Sequence, residues 1–263
     1  MTFTDNKIMV LGTSGMLGSM VYRYLKSKNY SITSNKYRWP SDNFKQEVKN
    51  FSGVIVNCIG SIPQAGLDNY QINYELPVFL LGTTNKLVQP CTDCVYDGNL
   101  PPGYQYTGVN NFNANDEYGY SKRKFAEYTS DVKSNCKIIR CSIIGYDKKN
   151  VSLMSWLINK SEKDKVCEGY TNHFWNGVTT LTWAKTLEKA LKDWNNTPEI
   201  IIPGIDPMNK YELLCTIVKT HKLNIDVAPV RKKHTSNKCL KPNIHCPNIE
   251  QQLLDMITFK ELN

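Results

Sequence analysis

KIMVLGTSGMLGSMVYRYL, residues 7–25, decides the fold. Ile8 to Leu11 form a short apolar run of the kind that makes a strand buried on both faces. Glycines follow at 12, 15 and 18, and Met20, Val21, Tyr24 and Leu25 then recur at helical spacing. Strand, glycine turn and helix together predict the opening of a dinucleotide-binding unit. Glycine lets the backbone approach a pyrophosphate, and a helix N-terminus offers free N–H groups to the anion. The spacing is Gly-x-x-Gly-x-x-Gly rather than Gly-x-Gly-x-x-Gly, and a turn that only packs a helix on a strand is the other reading. The expected cofactor contacts here are Gly12, Thr13, Ser14, Gly15, Met16, Leu17 and Gly18.

Outward from that stretch, a second strand is predicted over Tyr30–Thr33. An acidic residue about twenty positions beyond the first glycine would accept bonds from an adenine ribose. SNKYR, 34–38, has no carboxylate; beside the neutral amide of Asn35, another expected cofactor contact, it carries Lys36 and Arg38, cations suited to the 2′-phosphate of NADP or to a basic loop in solvent. GVIVNCIG, 53–60, predicts a third strand, Tyr70–Leu81 a helix despite Pro77, and NKLVQPCTD, 85–93, a fourth strand ending at Thr92. In a doubly wound sheet that end faces the ligand crevice. Pro90 conflicts with a central strand because it lacks a ladder donor.

The Gly-, Pro- and Asn-rich stretch 98–117 predicts a loop over a site, followed by a helix from about Tyr118. KIIRCSIIG, 137–145, predicts another strand, and VSLMSWLINK, 151–160, another helix. GVTTLTWAKTLEKALKDW, 177–194, places Leu181, Ala184, Leu187 and Leu191 on one helix face. A further helix starts near Asn209, an N-cap with Glu212 three residues on.

Tyr118-Gly119-Tyr120-Ser121-Lys122 carries the chemistry. Tyr118 and Lys122 stand four apart, so on a helix they share one face. A free phenol titrates near pH 10, and a nearby ammonium favours the phenolate. On this reading Tyr118 becomes a usable general acid or base; two surface residues on a helix are the bland alternative. The Thr92 hydroxyl can bind the same substrate oxygen and hold a carbonyl in place.

Composition narrows the classes. The chain has 263 residues, 41% of them hydrophobic and 21% charged, which fits an ordinary globular protein of one large α/β domain or a domain with a small lobe. No apolar run reaches the roughly 20 residues of a membrane helix. The opening does not read as a signal peptide, so a cytoplasmic enzyme or binding protein is expected. The +8 charge is spread along the chain, and its densest cluster is Arg231-Lys232-Lys233; phosphorylated small molecules are expected rather than nucleic acid. Nine cysteines do not suggest a disulfide framework. Cys91-x-x-Cys94 would need a second pair for zinc, and Cys239, His245 and Cys246 have no recognised ligand spacing, so no metal is expected.

These motifs resemble the extended short-chain dehydrogenase/reductases, specifically the dTDP-4-dehydrorhamnose reductase-like branch. GTSGMLG, VNCIG, INYELP, CTDCVYDG, YGYSK, IIRCSIIG and GYTNHFWNGVTTLTWAK carry the likeness, from about residue 7 to 245. Cys91 departs from the usual serine. The resemblance implies an α/β Rossmann fold, a doubly wound parallel sheet with a small C-terminal substrate-binding lobe. The expected division is an NADP-binding domain, 1–145, completed by about 177–202, and a lobe of 146–176 and 203–263.

It further implies NADPH-dependent reduction of the C4 ketone of a UDP- or dTDP-linked 4-keto-6-deoxyhexose, with or without a 2-acetamido group. Tyr118 would supply the proton, Lys122 would hold the nicotinamide ribose, and Thr92 would fix the ketone. Cys58, Ile59, Gly60, Asn73, Ser142 and Ile143 would complete the NADP(H) site. Asp93, Cys94 and Val95 would face the sugar. In related epimerising reductases a cysteine at the place of Cys94 moves a proton beside the ketone, which leaves C3 epimerisation open, with His173 or Lys160 as its partner. Asn172, His173, Trp175, Asn176 and Arg231 are candidate nucleotide-sugar contacts. For Trp175, stacking on a base and core packing stand side by side, as do diphosphate binding and a basic loop for Arg231. A homodimer is the common assembly of such proteins. The rival functions are a non-catalytic NADP-binding regulatory subunit and a nucleotide-sugar epimerase or dehydratase.

Overall fold

The computed structural model describes residues 7–63, 70–83, 85–130 and 135–262; residues 1–6 of the predicted first domain and residue 263 of the predicted lobe lie outside them. In chain order, β1 (Ile8–Leu11), α1 (Met16–Ser27), β2 (Ile32–Ser34), α2 (Asp42–Lys49), β3 (Val54–Asn57), α3 (Ile72–Leu81), β4 (Lys86–Cys91), α4 (Glu117–Ser130) and β5 (Cys136–Arg140) alternate. With the edge strand Ile200–Ile201 they build a six-stranded parallel sheet, ordered 200–201, β5, β4, β3, β1, β2. The chain steps from β1 to β2 on one side and to β3 on the other. This reversal opens a crevice beyond the C-terminal ends of β1 and β3, where α/β sheets bind ligands.

Side chains alternate across the sheet, and both faces are covered. Ile8, Val10, Val54, Val56 and Val88 pack with Leu17, Val21 and Leu25 of α1 and with Leu181, Ala184 and Leu187 of α6 (Thr180–Lys192). Met9, Leu11, Ile55 and Leu87 pack with Phe44 of α2, Leu76 and Leu80 of α3, and Phe125 of α4. Burial on both faces is why these strands read as unbroken apolar runs.

Several predicted boundaries move. The second strand lies at 32–34 rather than 30–33, because α1 runs to Ser27 and the chain reverses through Asn29 at φ +58°. The third ends at Asn57, since Cys58–Gly60 leave the ladder to border the glycine turn. The run 137–145 splits into β5 and a two-residue strand, Ile143–Ile144, paired with Val178–Thr179.

Pro90 does lie within β4, and the register removes the conflict. The Lys86 N–H bonds to Gly53 and the Leu87 N–H to Asn135, so even-numbered residues of β4 face β3. The β3 ladder stops at Val88, so no β3 partner stands opposite Pro90. Beyond that point the strands are joined by side chains, with Asn57 Nδ2 donating to Gln89 Oε1 at 2.8 Å.

The remaining chain builds a smaller layer, whose last helix packs on α1 and α6. It contains α5 (Leu153–Lys163), α7 (Lys210–His221) and α8 (Ile249–Leu262), a parallel pair 166–170 with 226–230, and His173–Trp175 between Met208–Asn209 and Ser236–Asn237. Asn209 and Glu212 form the predicted capping box; α2 and α8 had no counterpart in the sequence reading. The predicted loop 98–117 is sewn to this layer. Tyr106 N–H donates to the Cys239 carbonyl, Lys241 N–H to the Tyr106 carbonyl, and Asn237 Nδ2 to the carbonyls of Pro101 and Tyr104.

Candidate active site

The glycine turn forms the floor of the crevice. Gly12 adopts φ +77°, and a Cβ there would lie 3.0 Å from the Cys58 backbone. A Cβ on Gly18 would overlap the Gly12 carbonyl, so helix and turn are pressed together. Gly15 caps α1 with no side-chain bond, and the first turn of α1 has no acidic residue. An anion is therefore welcome at this helix end. The Gly12 N–H donates to Asn35 Oδ1 at 3.1 Å, tying the end of β2 to the first glycine. Thr13, Ser14 and Met16 line the same turn, while Leu17 is buried under it. These features fit the pyrophosphate of a dinucleotide.

The second wall comes from Cys58–Gly60 and α4. A Cβ on Gly60 would sit 3.2 Å from Lys122 Nζ and 3.1 Å from Asn73 Oδ1. Asn73 is 2% exposed, and both of its amide N–H donors are used: Nδ2 donates to the Ser61 carbonyl at 3.0 Å and to Ser121 Oγ at 3.1 Å, while Oδ1 accepts from Ser61 N–H at 3.0 Å. Ser121 Oγ in turn donates to the Tyr118 carbonyl at 2.7 Å. Asn73 thus braces the crevice wall against α4 rather than reaching into the crevice. Ser142 and Ile143 stand just past β5, where the Ser142 carbonyl accepts from Val178 N–H at 3.0 Å.

Thr92, Tyr118 and Lys122 come together at the C-terminal end of β4. Thr92 caps a short turn, Asp93–Val95, by accepting from Cys94 N–H at 3.1 Å, and its hydroxyl donates to Asp93 Oδ1 at 2.9 Å. Asp116 caps α4 through Gly119 N–H at 2.8 Å. Tyr70 meets the Tyr118 ring edge-on, with centroids 6.1 Å apart. Burial pushes the Tyr118 phenol up, Cys94, Asp93 and Cys91 add to this, and a side-chain hydrogen bond with Thr92 only partly offsets it. Burial lowers the Lys122 ammonium. The expectation of a phenol made acidic by Lys122 is therefore corrected. Desolvation by burial is the largest cause, and Tyr118 favours its protonated form.

The sugar side of the site differs more from expectation. Asp93 and Cys94 are half-buried at the crevice, but Val95 is fully buried in the core. Burial and Asp93 push the Cys94 thiol up to about 12, against the pull of Lys238 and the bond to Thr92. Trp175 is 2% exposed and packs in the core, so the packing reading holds. Asn172 donates to the carbonyls of Lys232 and His234 and accepts from Lys232 N–H. Asn176 likewise clasps both backbone groups of Leu240. These two amides position loops of the upper layer instead of facing a ligand.

His173 packs edge-on against Tyr170 and bonds the His234 carbonyl at 3.2 Å. Lys160 pairs with Asp164 at 2.7 Å along α5, so its ammonium is held on its own helix. Arg231 is exposed.

Other residues of the site were not found from the sequence. Lys210, at the start of α7, lies in electrostatic reach of Asp93, Cys94 and Cys239, and burial lowers it. No local pattern marks it, because α7 reaches the crevice only through tertiary folding. The signal that could have marked Asp116 is a carboxylate just before a predicted helix, and for Ser121 it is its place between Tyr118 and Lys122. Arg140 is wholly buried behind Cys91, with Nε 3.3 Å from Cys91 Sγ, Nη1 bonded to the Gly108 carbonyl and the guanidinium over the Phe112 ring at 4.6 Å. The unusual Cys91 therefore helps to seat the loop above the site. All nine cysteines are free thiols. No helix among the described residues is long and apolar enough to cross a membrane.

Comparison with known proteins agrees with this fold. The chain superposes on a dTDP-4-dehydrorhamnose reductase from Clostridium acetobutylicum with a TM-score of 0.79 and 17% identity, covering 97% of this chain and 99% of that one. The same enzyme from Bacillus anthracis, in complex with NADP, gives a TM-score of 0.82 at 15% identity, with 96% and 99% covered. A UDP-glucose 4-epimerase from Thermus thermophilus, complexed with NAD, gives 0.70 at 14% identity, with 97% and 99% covered. No functionally curated protein matches the chain by sequence. Residues 8–173 match the profile of the NAD dependent epimerase/dehydratase family. The chain belongs to that family, and its fold is the one shared by the dTDP-4-dehydrorhamnose reductases.

Proposed function

We propose that the protein reduces the C4 ketone of a nucleotide-activated 4-keto-6-deoxyhexose, UDP- or dTDP-linked, with NADPH as reductant. The observation that carries this reading is the meeting of Thr92, Tyr118 and Lys122 at the end of β4, beside a glycine turn shaped for a pyrophosphate. The cofactor supplies hydride equivalents to the ketone carbon. With the Thr92 hydroxyl turned from Asp93 to the substrate, Thr92 and Tyr118 would hold the ketone oxygen between two hydroxyls, which fixes the carbonyl for reduction. Tyr118, kept protonated by burial, delivers the proton that the developing alkoxide requires. Lys122, against Gly60, holds the nicotinamide ribose. Lys36 and Arg38, exposed just beyond β2, favour the 2′-phosphate.

Substrate contacts fall to Asp93, Cys94 and Lys210, with the sugar nucleotide lying between the sheet domain (1–145 with 177–202) and the lobe (146–176 and 203–263). A thiolate at Cys94 would be needed to remove a C3 proton. Burial and Asp93 disfavour that thiolate, which supports reduction as the first reading, with C3 epimerisation by Cys94 as the second. The assembly expected is a homodimer. Neighbours of the same fold that are named as reductases support reduction.

The test is incubation with NADPH and UDP- or dTDP-4-keto-6-deoxyhexoses, with and without the N-acetyl group, followed by absorbance and product NMR. NADPH oxidation with a C4-hydroxyl product supports the proposal. Tight NADPH binding without oxidation across the panel would favour a regulatory binding subunit instead.

A further inference from the structure

The Asn35–Arg38 segment has no carboxylate in sequence, yet the fold returns one to it. Glu47 of α2 places both carboxylate oxygens 3.0 Å from the Lys36 backbone N–H, with the Tyr37 N–H at 3.5 Å from Oε2. The segment is held from its other side, where Asn35 accepts from Gly12 N–H and donates to the Tyr37 carbonyl at 2.8 Å. The two N–H groups therefore form a small anion-accepting nest at the end of β2, next to the first glycine of the turn. Glu47 fills it and makes no ion pair among the described residues. The end of β2 is where a dinucleotide's adenine ribose is read: a carboxylate accepts from the 2′-hydroxyl of NADH, whereas cations and free N–H groups take the 2′-phosphate of NADPH.

We infer that Glu47 sets the balance between NADH and NADPH, by occupying with its carboxylate the backbone N–H pair that a 2′-phosphate would otherwise take. The inference rests on the dinucleotide site proposed above and adds a discriminating residue to it. Lys36 and Arg38 pull towards the phosphate; Glu47 opposes them, since a bound phosphate must displace it or lie beside a like charge.

Dissociation constants of NADH and NADPH, read by nicotinamide fluorescence without sugar substrate, test this on the full-length protein. In Glu47→Gln the amide oxygen still accepts from Lys36 N–H, so the turn is kept while the charge is removed. The preference for NADPH over NADH should rise about fivefold, the scale of one partly exposed charge pair. Glu47→Ala should move it the same way, which guards against a folding defect in one variant. Arg38→Ala should move it in the opposite direction. An unchanged ratio in both Glu47 variants, with Arg38→Ala still shifting it, overturns the inference and leaves the cofactor site standing. Wild-type protein that binds neither dinucleotide would instead bring down the cofactor reading, and this inference with it.

Discussion

Gly119 lies so close to Cys94 that a Cβ on it would collide with the Cys94 carbonyl oxygen, while also meeting Ala114 Cβ at 2.7 Å and Asp116 Oδ2 at 2.9 Å. The first turn of α4 thus rests directly on the turn that follows β4. The position of Tyr118 relative to Thr92 is set by that contact. Gly119→Ala should cost about 1–3 kcal/mol of stability through overpacking, and should lower kcat at least about tenfold by moving the phenol. Urea denaturation and steady-state kinetics check the two parts separately.

Tyr118→Phe removes the proton donor and little else. Turnover should fall by about 10²–10⁴-fold, the usual contribution of a positioned acid. NADPH affinity, measured by fluorescence, should stay near that of the wild type, because Lys122 and the glycine turn are untouched. Wild-type-like turnover in this variant would refute the assignment.

Cys94→Ser separates reduction from epimerisation. With the thiol held protonated, product formed by the wild type in D₂O should carry no solvent deuterium at C3, and the serine variant should still reduce the ketone. Deuterium at C3 in wild-type product, lost in Cys94→Ser, would show that the thiol does exchange a proton there.

Asn73→Ala should destabilise the protein by about 1–3 kcal/mol, because it strands buried backbone groups of Ser61. It should also weaken NADPH binding, since Asn73 braces the wall that carries Gly60 and, through Ser121, the helix that carries Lys122. Urea midpoints and fluorescence titration give the two readouts.

Asp147 makes part of the stability depend on pH. Burial raises its pKa, but bonds from the Ser152 and Val151 backbone and from serine side chains outweigh this and lower it from 3.8 to about 2. Its contribution is complete above the unfolded value of 3.8 and is lost as pH falls through about 2. The difference in urea midpoint between wild type and Asp147→Ala should therefore be largest near neutral pH and shrink steadily as the acid range is entered.

What the sequence revealed was mostly local. Gly12, Gly15 and Gly18 and the Tyr118–Lys122 spacing are written within one turn or one helix, and both were legible. The capping box of Asn209 and Glu212 was legible for the same reason. Whether a polar residue braces a loop or faces a ligand depends on the whole fold, so Asn73, Asn172 and Asn176 read as contacts and proved to be clamps. Trp175 could not be assigned until its neighbours were known. Glu47 reaches the end of β2, and Lys210 the turn after β4, from helices that no spacing connects to them. The phenol's acidity was misjudged because sequence shows the nearby lysine but not the burial that raises the phenol.

The most direct test of the account is deuterium transfer from NADPH labelled at nicotinamide C4 to a dTDP- or UDP-4-keto-6-deoxyhexose, read by NMR of the sugar product. The account predicts deuterium at the sugar C4 with wild-type protein and almost none with Tyr118→Phe. Dinucleotide bound at the crevice with no label reaching any of these sugars, or equal transfer in the two proteins, would contradict it.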